Sequence, residues 1–97
     1  MIVGLLKIRL NLNGIASLKD KRSIVKSVIG KVKSRYNFSI AEVESHDSKT
    51  QAILGLAVIA NDSAFVNKQM DTVINFIKAG GGFYLGQIER EIFPFNP

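Results

Sequence analysis

The 97-residue chain has no cysteine, two prolines and one histidine. Without thiols there is no disulfide framework, no thiolate nucleophile and no sulfur-held zinc or iron centre, and a secretory destination is disfavoured. Long apolar runs are also missing. Met1 to Leu6 is apolar but is followed by Lys7 and Arg9, the reverse of the charge order of a signal peptide. The other run, Ala52 to Ala60, falls well short of the ~20 residues a membrane helix needs. These absences predict a cytoplasmic protein with no membrane contact. Acids are scarce in one region: residues 1–37 hold nine Lys or Arg against Asp20 alone, whereas residues 38–97 hold four bases against seven acids. The net charge of +5 therefore belongs to the first third of the chain, which suggests an anionic partner such as nucleic acid.

What is present is enough for one core. An apolar fraction of 46 % excludes a disordered chain, and the length suits one domain, residues 1–97. Residues 2–12 begin apolar and then alternate, as a strand does. Asn13-Gly14 is a turn pair, Ser17 stands at an N-cap position with Asp20 three residues on, and a helix is predicted to about Arg35. Residues 38–46 and 50–60 read as two further strands. Asn61, Asp62 and Ser63 offer caps for a second helix, whose buried side is Val66, Met70, Val73, Ile74 and Ile77. Gly80-Gly81-Gly82 is expected to end that helix in a left-handed cap, and residues 83–93 form the last strand, stopped by Pro94 and Pro97.

The order β-α-β-β-α-β predicts an α/β (α+β) chain with the ferredoxin-like sandwich, its sheet in the order 4-1-3-2 and both helices on one face. Charges agree with it, because Glu42, Glu44 and His46 on strand two and Glu89, Arg90 and Glu91 on strand four suit edge positions. Strand three is apolar on both faces. Ala52, Leu54, Leu56 and Val58 suit the helix side, whereas Ile53, Ala57 and Ile59 line the side that two helices cannot cover. A homo-oligomer, a dimer by preference, or another protein is the expected cover.

The segments SLKDKRSIVKSV, AEVESHD and AILGLAVIANDS, in this order, resemble the small bacterial YlxP-like family, domain of unknown function 503, and the likeness runs through EREI of the last strand. The resemblance implies a ferredoxin-like fold and a gene often placed among those for translation initiation and ribosome maturation. It implies no activity, cofactor, substrate or catalytic residue. Related sequences often carry Trp and Gln after the Asp of strand two, where this chain has Ser48-Lys49-Thr50-Gln51.

Four candidate sites follow from the residues. On the first helix Lys19, Arg22, Lys26 and Lys33 fall within an arc of about 60°, beside Ser23, Ser27, Gly30 and Ser34. This stripe reads either as a solvated face or as a surface for RNA, a ribosomal particle or another polyanion, to which Lys7 and Arg9 are added. Lys21 falls among the apolar residues by angle and needs a carboxylate, with Asp20, Glu42 and Glu44 in reach. Glu42, Glu44 and His46, joined by Asp47, could hold a divalent metal or exchange protons if the strand stays regular, but edge charges also serve to discourage strand addition, the apolar parity changes near Ala41 as at a register break, and no second element completes such a shell. The three glycines follow a helix instead of preceding one, so they do not form a phosphate cradle. The two central strands lack aromatics, which argues against stacking bases on the sheet. The reading is a noncatalytic RNA-binding or ribonucleoprotein-binding protein with no cofactor. Its alternative is a protein-interaction or oligomerisation module using Ile53, Ala57 and Ile59.

Overall fold

The computed structural model describes residues 1–96; Pro97, expected to stop the last strand, lies outside the described residues. The order is β1 (Ile2–Asn11), α1 (Leu18–Arg35), β2 (Ser39–Glu44), β3 (Gln51–Ala60), α2 (Ser63–Lys78) and β4 (Tyr84–Pro94). One antiparallel sheet runs β2-β3-β1-β4, the expected order viewed from the other edge. This is the ferredoxin-like α+β arrangement.

Alternation decides what each strand buries. Leu6, Ile8 and Leu10 of β1 meet Ala52, Leu54, Leu56 and Val58 of β3 beneath Val25 and Val32 of α1 and Val66, Met70, Val73 and Ile77 of α2. The intervening residues of β1 and β3 face away from both helices. Ser17 caps α1 by accepting from the Asp20 N–H at 3.1 Å, and Asp62 caps α2 by accepting from the Phe65 N–H at 3.0 Å. Both satisfy an amide that the first helical turn leaves without an acceptor. At the far end of α2 the expected left-handed cap is absent. Ala79 ends the helix in the right-handed region, Gly80 N–H donates to Ile77 O, and the positive φ of +93° falls later, at Gly82.

Pro94 also behaves differently from the expectation. It pairs opposite Ile2, and the Phe95 N–H beyond it donates to Met1 O at 2.7 Å. A proline is tolerated on an edge strand because the amide it lacks need not serve the ladder, so pairing passes through it. Arg90, on the helix side of β4, fastens this edge to α2 by reaching Asp71 Oδ1 at 2.6 Å, Asn67 Oδ1 at 2.8 Å and Asn67 O at 3.0 Å.

Close approach of α2 to the sheet depends on Gly4. A Cβ there would stand 2.6 Å from Val66 Cγ1 and 2.7 Å from Met70 Sδ, and the branched Val66 has little freedom to move. Gly4→Ala is therefore expected to lower stability by about 1–3 kcal/mol through overpacking. Gly30→Ala, on the exposed side of α1 with nothing within 4 Å, should raise it by about 1 kcal/mol through helix propensity. Urea denaturation of the two variants checks both signs.

Candidate nucleic-acid interface and the buried lysine

Lys21 leaves the first turn of α1 toward the core and is 0 % exposed. Its ammonium lies 3.0 Å from Glu42 Oε2 and donates to the backbone carbonyls of Ser45 and, at 3.4 Å, His46. The three N–H groups of the ammonium thus face two carbonyls and the Glu42 carboxylate, which is held to Lys21 as an ion pair. Of the three carboxylates within reach in sequence, the partner is Glu42. Ser45 holds φ at 64°, a left-handed conformation unfavourable for a residue with a Cβ, and its carbonyl is thereby aimed at the ammonium. Its side chain is held too, accepting from Gln51 Nε2 at 3.0 Å.

The carboxylate cluster that a regular strand two would place on one face does not form. Glu42 pairs with Leu54 and Glu44 with the adjacent Ile53, so Val43 is an extra residue that bulges the strand. The bulge reverses alternation, sending Glu42 in toward Lys21 and Glu44 out to the opposite face, where Lys7 meets it at 2.7 Å. His46 lies past the strand with Nε2 3.2 Å from Glu42 O, and Asp47 is exposed in the turn. No group of three metal-ligating side chains gathers among the described residues.

The six cations proposed for anion binding separate into two layers. Lys19, Arg22, Lys26 and Lys33 are all exposed on α1, and none forms an ion pair among the described residues. Lys7 and Arg9 point from β1 to the side of the sheet away from the helices, so they cannot extend the α1 stripe. Arg9 lies against β4 at Gly86, where a Cβ would be 3.0 Å from Arg9 Cδ, and its buried Nε has no acceptor among the described residues. Beside the stripe, Ser23 and Ser27 open onto a groove of about 470 Å³ floored by Ile24, Val28, Phe76 and Phe83. Sequence periodicity missed this groove, because it arises where α1 meets the glycine turn after α2. Arg35 is taken up by the Phe76 ring, 5.1 Å from its centroid.

Two measurements test the ion pairs. Lys21→Met keeps the volume but strands the Glu42 carboxylate, and should cost about 3 kcal/mol in chemical denaturation. Adding Glu42→Leu should recover part of that loss, and a single variant as stable as the parent would refute the pairing. The hydrogen bond and charge of Glu44, with a smaller contribution from Glu89, hold the Lys7 pKa above its ordinary 10.5. A raised lysine pKa means that the pair's stabilisation is complete below 10.5 and disappears as pH rises through the folded value. NMR titration of the Lys7 ε-methylene should show its midpoint falling toward 10.5 in Glu44→Gln.

Comparison with known proteins places the chain beside a relative described as uncharacterized. It is 29 % identical over 76 residues to the uncharacterized protein YlxP of Bacillus subtilis (strain 168), covering 78 % of this chain and 77 % of that one. Among solved structures, an asparagine-to-alanine mutant of SnoaB, a cofactor-independent oxygenase from Streptomyces nogalater, aligns over 99 % of this chain and 94 % of its own at 11 % identity. Its TM-score of 0.48 is too low to bear on function. Residues 3–90 match the family described as protein of unknown function (DUF503), and the chain belongs to that family.

Proposed function

We propose that this protein is a noncatalytic binding protein that lays the phosphate backbone of an RNA along the outer face of α1. The observation that supports this reading is the stripe of four exposed cations, Lys19, Arg22, Lys26 and Lys33, none of them ion-paired among the described residues. Lys19 to Lys33 covers about 21 Å along a helix, enough for several successive phosphates. Ser23, Ser27 and Gly30 border the stripe with short side chains, so a backbone can approach without displacing bulky groups. Of the acids on neighbouring elements, Glu42 is committed to Lys21 and Glu44 to Lys7, and the exposed Asp20 beside Lys19 forms no ion pair with the stripe among the described residues. A role in translation or ribosome assembly belongs to the same proposal, and its support is the gene neighbourhood implied by the family resemblance.

Recognition of this kind is electrostatic and largely indifferent to base sequence. Four phosphate contacts on a single strand give a slope of log K against log salt of about −3, or roughly a 50-fold loss of affinity between about 50 and 200 mM salt. Fluorescence anisotropy with a labelled single-stranded oligoribonucleotide should show that loss. Charge reversal at Lys19, Arg22 and Lys26 together should abolish most of the binding and flatten what remains. Binding of unchanged strength and slope in the triple variant would sink the proposal.

A further inference from the structure

We propose that the face of the sheet opposite the helices docks a second copy of this chain, making a two-fold dimer with the sheets packed face to face. The proposal is independent of RNA binding, which uses the other layer. The register fixes what this face presents. Val3 lies between Ile59 and Phe93, and Leu5 between Ala57 and Glu91; Lys7 lies between Gly55 and Glu89, and Arg9 beside Ile53 with Glu44 next to it. One end is thus apolar and the other charged. Ile59 is 61 % exposed, Val43 47 % and Leu5 38 %, and they are exposed as neighbours on one sheet. β2 begins at Ser39 opposite Ala57, so it is too short to flank Ile59. A groove of about 540 Å³ runs over Leu5, Ala57, Gly55 and Val43 and is bordered by Glu89 and Glu91.

Charge selects a second copy as the occupant. Lys7 and Arg9 stand against Glu44, Glu89 and Glu91, so the face is nearly balanced and the whole positive excess of the molecule lies elsewhere. Two cationic copies repel in other approaches but can bring this face together without like-charge opposition. The most charged stretch of the free β4 edge resists pairing with its own copy. Antiparallel pairing centred on Arg90 would set Arg90 opposite Arg90 and Glu89 opposite Glu91 of the second copy, which is unfavourable on both sides of the ladder. Size is also sufficient. Three strands of ten or eleven residues and the six-residue β2, about 4.8 Å apart, make a face of roughly 600 Å², and two such faces together come to the lower bound of about 1,200 Å² for specific interfaces.

Sedimentation velocity on the full chain through the micromolar range is the test. The expected mass is twice the 10.7 kDa of the chain. Leu5→Glu and Ile59→Glu should each raise the dissociation constant by about tenfold or more, whereas Phe65→Glu, at an exposed apolar residue of α2, should leave it unchanged. Circular dichroism checks folding; should Leu5→Glu unfold, Ile59→Glu decides, because its side chain is already mostly in solvent. A monomer throughout the range, a dimer that survives Ile59→Glu, or one lost equally in Phe65→Glu would overturn the proposal.

Discussion

The burial of Lys21 is the constraint on which the rest of the molecule's charge depends. An ammonium at 0 % exposure requires acceptors on the spot, and the sheet supplies them from one place, the end of β2. That requirement draws Glu42 inward, aims the Ser45 carbonyl by way of a left-handed backbone, and ties the start of α1 to the turn between β2 and β3. Only Val25 and Val32 are otherwise fully buried on α1, so the lysine is a large part of what fixes the helix on the sheet. Its stem adds apolar contact while its head makes polar ones. A shorter residue could not do both.

The same device leaves the outer side of α1 cationic. β2 carries two glutamates, and a regular strand would direct both to one face. The extra residue Val43 directs them apart, so that Glu42 answers Lys21 within the core and Glu44 answers Lys7 across the sheet. Neither remains for Lys19, Arg22, Lys26 or Lys33. The bulge therefore sorts charge into layers, with a cationic helix layer and a sheet face near neutrality.

Much of this was legible in the sequence, and the failures have identifiable physical causes. Periods of two and 3.6 located all six elements, and the two-sided apolarity of β3 identified both its central place and the uncovered face. Lys21 stood out because its angle put it among apolar residues. Its partner could not be chosen, since whether Glu42 or Glu44 turns inward depends on one inserted residue: the change of apolar parity near Ala41 signals a register break without saying which glutamate it turns inward. β4 has a similar irregularity between its pairings with Ile8 and Leu10, where Gly86 makes room for Arg9. Pro94 misled for a different reason. A proline interrupts pairing only where its missing amide would have donated, and that depends on which side of an edge strand is free. The groove beside Ser23 and Ser27 joins parts of the chain about fifty residues apart, beyond the reach of local pattern.

The two proposed surfaces are electrostatically separable, and distance is the reason. In a face-to-face dimer the sheets stand about 10 Å apart and each helix layer adds about another 10 Å, so the two α1 stripes face outward roughly 30 Å from each other. The Debye length at physiological ionic strength is about 8 Å, so neither stripe is sensed across the interface. Dimerisation through a nearly neutral, partly apolar face should depend weakly on salt, while polyanion binding on α1 depends on it steeply. Salt therefore acts on one association without the other. A dimer carries two independent stripes that point away from each other, a geometry suited to bridging two RNA segments and unsuited to gripping one short strand from both sides.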